Sequence, residues 1–184
     1  PYWDPAWTDD GTDTGNPVAG VAPLWLDGQP LAGSFGYIAD ISDPDWQTIV
    51  INRAIEVVQQ GYTGIYLDDV GRYYDLFVAA GGGGLNELTP FANAMMDLVV
   101  AVTEAVRAVD PDAYVVVNGD PYIVTNTLGG AGSAEATAFL SAIDAMLLDN
   151  LFGVRDVGTY TAGTIPAAVT QAINQIGPHA QLLA

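Results

Sequence analysis

The chain has 184 residues, half of them hydrophobic, which is enough for one domain around a sizeable core. It has no cysteine, which excludes disulfides and thiolate metal sites. Four Arg and no Lys stand against 22 acids, and the net charge of −18 opposes binding to nucleic-acid phosphates or to anionic membranes. The same charge suits a salty medium and a cationic partner. No apolar run is long enough to span a bilayer. No signal peptide is visible at Pro1, and the abrupt opening on Pro1-Tyr2-Trp3 reads as that of a piece of a longer protein.

Residues 36–40 (Gly-Tyr-Ile-Ala-Asp) read as a first strand. Ser42 or Asp43 then caps a helix with Pro44 at its first position. Trp46, Ile49, Val50, Ala54, Val57 and Val58 follow at helical spacing, and Gly61 stops it. Residues 64–68 (Gly-Ile-Tyr-Leu-Asp) form a second strand, followed by a long loop with four successive glycines, Gly81 to Gly84. The next helix has Thr89 as its cap and carries Phe91, Ala94, Met95, Leu98, Val102, Ala105, Val106 and Val109 inward, ending at Asp110-Pro111. Residues 114–118 are a third strand. Ser133 caps a helix bearing Phe139, Leu140 and Ile143, and residues 145–149 are a fourth strand. A last helix over 166–176 ends at Gly177, and a fifth strand begins at Gln181.

Strands alternating with helices imply parallel pairing through helical crossovers. Near-continuous apolar strands fit a sheet buried on both faces. A doubly wound sheet and a barrel both fit this pattern. No G-x-G-x-x-G fingerprint follows any strand, which lowers the nucleotide-binding version. The expected fold class is therefore α/β, a (β/α)8 TIM-barrel type that is incomplete, with about five βα units in a single partial domain over residues 1–184. A full barrel takes about 250 residues and eight strands, so roughly three strands should lie elsewhere.

Asp40, Asp68, Asn118 and Asp149 each end an apolar strand. In a barrel those ends converge on one mouth, the place of the active site. Any one of them also suits a capping role, since Asp and Asn often start such loops; four in succession favour a shared site. Two carboxyl groups flanking a glycosidic bond are what its hydrolysis requires: one protonates the leaving oxygen and the other attacks the sugar or activates water. Neighbouring acids raise the proton affinity of the one that must act as the acid. Trp3, Trp7, Trp25, Tyr73 and Tyr74 lie in loop-like segments where aromatic rings could stack on sugars, although partial burial is their ordinary fate.

The run Tyr37-Ile38-Ala39-Asp40-Ile41-Ser42-Asp43-Pro44-Asp45-Trp46-Gln47, then Gly61-Tyr62-Thr63-Gly64-Ile65-Tyr66-Leu67-Asp68-Asp69-Val70, resembles glycoside hydrolase family 114. Val117-Asn118-Gly119 and Ile143-Asp144-Ala145-Met146-Leu147-Leu148-Asp149-Asn150 resemble its next strand ends, and Tyr2-Trp3 and Pro23-Leu24-Trp25-Leu26 its early loops. The resemblance implies a (β/α)8 barrel and a secreted, extracellular endo-α-1,4-polygalactosaminidase that needs no cofactor or metal. Its substrate would be a cationic galactosamine polymer, in keeping with the acidic chain. The family's catalytic aspartate maps onto Asp68 as nucleophile, and its catalytic glutamate onto Asp149 as acid/base. Asp40, Asp69, Asn118, Tyr73 and Trp3 would contact substrate. Three positions depart from the pattern: Asp149 stands for Glu, Thr63 for an Asp, and Gly71 for another Asp. The alternatives are a carbohydrate-binding barrel that has lost its chemistry, and a barrel glycosidase with another sugar preference.

Other features suggest less. The segment from Asp9 to Asn16 is rich in oxygen ligands and glycine but lacks EF-hand spacing, so a solvated loop outweighs a Ca²⁺ site. The glycine run could hinge a lid. Arg72 stands close enough to Asp68 in sequence to pair with a carboxylate of the mouth. The single histidine, His179, follows the last helix with no triad around it.

Overall fold

The structure, a computed structural model, describes residues 4–12, 15–26, 37–119, 121–148, 153–156, 159–162 and 167–183. Helix α1 (Pro44–Gln59) starts where the sequence places it. The Asp43 carboxylate accepts the Asp45 and Trp46 N–H groups at 2.8 and 3.3 Å, which satisfies two donors of the first turn. Past its end, Gly61 takes φ 92°, a left-handed turn that leads into β1 (Gly64–Leu67).

The expected long loop is partly helical. A 3-10 turn (Val70–Arg72) leads into α2 (Tyr73–Ala79), and residues 80–84 turn the chain into α3 (Leu85–Val109). That helix begins four residues ahead of Thr89. The reason is a cap the sequence reading passed over: the Glu87 carboxylate reaches back to the Gly84 N–H at 3.0 Å. Thr89 lies inside the helix, donating to the Leu85 carbonyl at 2.7 Å and accepting the Leu128 N–H at 3.1 Å.

Strand β2 (Tyr114–Asn118) follows, then α4 (Ala134–Ala142) capped by Ser133, then β3 (Ala145–Leu147). An antiparallel hairpin, β4 (Gly153–Asp156) and β5 (Thr159–Ala162), was not foreseen. Helix α5 (Ala167–Ile176) and β6 (Gln181–Leu183) close the order.

The main sheet runs β1-β2-β3-β6, and every pair in it is parallel. Four of the five expected strands are therefore present. The first is not: Tyr37 makes an isolated bridge and residues 38–40 form no strand. Instead the Asp40 N–H donates to the Trp25 carbonyl at 2.9 Å, turning this segment toward the N-terminal residues. There Trp25 and Leu26 are buried with Trp7 and Trp46 against them, in a small cluster separate from the main core.

Alternation along the strands decides which face is covered. Val115, Val117 and Met146 are fully buried on one face, in the same core as Ile65 and α3's Met96, Val99, Val102 and Val106. Helix α3 packs between α1 and α4 over that core. Tyr66 and Tyr114 lie on the opposite face, where they are 51% and 64% exposed. A closed barrel turns that face inward and fills it with side chains. The α/β expectation and its incompleteness thus both hold among the described residues: four parallel strands, helices on one side, and Tyr66 and Tyr114 exposed on the other.

At the N-terminal end of the sheet, Asp144 joins the layers. Its carboxylate accepts from Arg107 on α3 at 2.9 Å and from the Val115 N–H at 2.7 Å. Its backbone N–H donates to the Val115 carbonyl, and its carbonyl accepts the Gln181 N–H.

Candidate active site

The opposite, C-terminal end of the sheet carries the acids. Leu67 on β1 is in register with Val117 on β2, so the residues that follow, Asp68 and Asn118, become neighbours. Asn118 Nδ2 donates to Asp68 Oδ1 at 2.8 Å across a separation of 50 residues. The Asp69 N–H donates to the same oxygen at 2.9 Å. Two donors on one oxygen fix the carboxylate's orientation. Asp68 is solvent-exposed, and its hydrogen-bond partners among the described residues leave Oδ2 unengaged.

Close packing holds the two strand ends together. A Cβ on Gly119 would stand 3.2 Å from Val70 Cβ, so glycine lets the turn after β1 lie against the end of β2. Asp69 itself is left-handed, at φ 61° and ψ 25°. Arg72 Nε lies 3.2 Å from Asp69 Oδ1, and its Nη1 lies 2.9 Å from Asp75 Oδ2. The hydrogen bond it donates to Asp75, aided by the charges of Asp69 and Asp75, holds the guanidinium proton affinity above its ordinary value against a partial burial penalty. Arg72 thus pairs with carboxylates, as its place after Asp68 suggests, and its second partner Asp75 was legible only in the i, i+3 steps Asp69-Arg72-Asp75.

A cavity of ≈ 260 Å³ opens beside this group. Asp68, Asp69 and Arg72 stand on its lining, together with apolar groups such as Ile38, Trp46 and Met95. It therefore offers an apolar wall and a charged edge, the usual make-up of a small-molecule cleft.

The remaining candidates fall in different places. Asp40 accepts from Ser42 N and Oγ at 2.9 and 2.6 Å, so it caps its own turn. Tyr73 needs correction as a substrate contact: it is fully buried, and its hydroxyl accepts from Asn126 Nδ2 at 2.7 Å, so its ring is a core element. Trp25 is likewise buried, 4.9 Å from Trp46 and 5.4 Å from Trp7 between ring centres. Asp149 and Trp3 lie outside the described residues. In the N-terminal loop, Asp9 turns onto Asn16 and Asp10 onto Thr12, so these carboxylates satisfy local N–H and O–H groups. Among the described residues no cluster of three or more His, Cys, Asp or Glu is arranged to hold a metal. Likewise none of their helices is long and apolar enough to cross a membrane.

No family model matches the chain, and neither does any curated protein. Solved structures do. The glycoside hydrolase domain of PelA from Pseudomonas aeruginosa superposes with a TM-score of 0.52 at 16% identity, over 80% of this chain and 51% of that one. A variant of the same domain gives 0.54 at 15% identity, over 85% of this chain and 56% of that one. The chain has the fold of a glycoside hydrolase domain. It spans about half the length of the PelA domains it matches.

Proposed function

We propose that this chain carries the catalytic carboxylate of a secreted glycoside hydrolase, with Asp68 as the nucleophile. The observation that carries this reading is the setting of Asp68: an exposed carboxylate at the C-terminal end of a parallel strand, with both donors on one oxygen. In barrels that end of the sheet is where chemistry is done. A carboxylate oriented through one oxygen, with the other unengaged among the described residues, suits attack on an anomeric carbon. The fold shared with the PelA glycoside hydrolase domain supports the same class of reaction.

The partner acid is Asp149, which ends the strand sequence begun at Ala145. In this scheme Asp149 protonates the glycosidic oxygen as its bond to the anomeric carbon breaks, while an Asp68 oxygen bonds to that carbon. Asp149 then takes a proton from the water that releases the sugar. Asn118 orients Asp68, and Asp40, Asp69 and Trp3 contribute to the substrate groove. The substrate is an α-1,4-linked polysaccharide containing galactosamine, whose ammonium groups suit a chain of net charge −18. Neither nucleic acid nor membrane is a partner.

The test is Asp68→Asn, measured as release of reducing ends from a galactosamine polymer. The expected outcome is loss of at least about a thousandfold in rate with an unchanged circular dichroism spectrum. Full retained activity would refute the assignment. Binding of oligosaccharide by the unaltered chain without any cleavage would favour the non-catalytic barrel, and cleavage of a different polymer would reassign the sugar.

A further inference from the structure

Most of the wall of the cavity beside Asp68 is unsuited to a sugar. Ile38 lines it ahead of α1, Trp46 and Val50 on α1, Leu67 at the end of β1, and Met95 and Leu98 on α3. Sugar hydroxyls that left water for such a wall would lose hydrogen bonds that it cannot replace. An apolar group loses nothing there and gains by leaving water. A cavity of about 150 Å³ lined by Leu, Ile and Phe takes a benzene ring. This one, at ≈ 260 Å³, has room for a ring and a short tether.

Charge on the lining is confined to one turn of chain, at Asp68, Asp69 and Arg72. The Arg72 guanidinium is already matched, by Asp69 at 3.2 Å and by Asp75 at 2.9 Å. Asp68 has no cation beside it among the described residues. Its Oδ1 accepts from two neutral donors, the Asn118 amide and the Asp69 N–H, and its Oδ2 is unengaged among the described residues. The charge left over for a ligand is therefore negative, and it stands where the apolar wall ends. An anion is opposed twice, by this carboxylate and by the net charge of −18.

We propose that this cavity is a binding site for a small primary ammonium compound with an apolar body. The body, an aromatic ring or a short alkyl chain, packs against α1 and α3, and the ammonium donates to Asp68 Oδ2. A hydrogen bond with both partners charged is about twice as strong as a neutral one, so the ammonium selects among apolar molecules. The site is one of binding and stands apart from the reading of Asp68 as a nucleophile.

The experiment is proton–carbon NMR of the methionine methyl groups, on the full chain at neutral pH, with phenethylammonium as the probe. Of the three methionines, Met95 lines the cavity, whereas Met96 and Met146 are fully buried away from it. The Met95 methyl should shift saturably while the other two stay in place. Phenethyl alcohol keeps the body without the charge, and ethylammonium keeps the charge without the body. Each should bind at least about tenfold more weakly than the probe. Asp68→Asn, at an exposed position, should weaken phenethylammonium by about tenfold to a hundredfold and leave phenethyl alcohol unchanged. An unmoved Met95 methyl, an alcohol that binds as tightly as the ammonium, or an unaltered affinity in Asp68→Asn would overturn the proposal. Polysaccharide cleavage is measured separately: if there is none, the functional reading fails while the Met95 methyl still decides the binding site.

Discussion

Removing the Asp144 side chain should destabilise the fold while sparing the acidic end of the sheet. Asp144 Oδ2 accepts from Arg107 Nη2 at 2.9 Å and from the Val115 N–H at 2.7 Å, and both side chains are about one-third exposed, at 34% and 30%. Asp144→Ala removes the acceptor for a strand N–H in a residue that is fully buried. A hydrogen bond to a charged acceptor contributes about 1.5–3 kcal/mol, and partial exposure puts this one near the lower end. The ion pair adds about 0.5–1 kcal/mol after screening by solvent. The expected loss is therefore about 2–3 kcal/mol. Asp144→Asn keeps a carbonyl acceptor for Val115 and loses only the charge, so it should cost about 1 kcal/mol. Urea unfolding followed by circular dichroism reads both: with a slope of about 2–3 kcal/mol/M, Asp144→Ala should lower the midpoint by about 1 M. A midpoint within about 0.2 M of the unaltered chain, or equal losses for Asn and Ala, would refute this account of the joint.

Asp97 on α3 binds its proton more tightly than an ordinary aspartate, first because burial disfavours its charge and then because Glu135 is near. Its folded pKa thus lies above the unfolded one, so its contribution favours folding in acid and is lost as pH rises through the folded value. Asp97→Asn should raise stability at pH 7 by on the order of 0.3 kcal/mol, after allowing for solvent screening, and have no effect below about pH 3; a gain that persists in acid would contradict the cause. At the start of α1, Asp43→Ala deprives two N–H groups of their acceptor and should cost about 1 kcal/mol, with Asp43→Ser recovering most of it in thermal unfolding. In the core, Phe139→Ala on α4 should cost about 3–5 kcal/mol because the ring is fully buried; a loss under about 1 kcal/mol would mean that the site collapses freely.

Local chemistry made the backbone order legible. Asp43 ahead of Pro44, Ser133 ahead of α4, and apolar runs at 64–67, 114–118 and 145–147 each specify their element with information inside a few residues. Asp68 and Asn118 were likewise visible as polar residues ending apolar strands. Their contact was not, because it depends on the parallel register of β1 on β2 across 50 residues. Tyr73 and the segment at 38–40 show the limit from the other side. An aromatic beside a presumed site and a strand-like run were both reassigned by distant partners: Asn126, 53 residues on, for Tyr73, and the Trp25 carbonyl for Asp40. Sequence by itself determined α1, α4 and the strands β1, β2 and β3, with Asp68 and Asn118 at the ends of the first two, since propensity, capping and alternation act over a turn or two of chain. Tertiary structure alone decided which of those acids has partners and which aromatic is buried, since hydrogen bonding and burial depend on what the rest of the chain brings alongside.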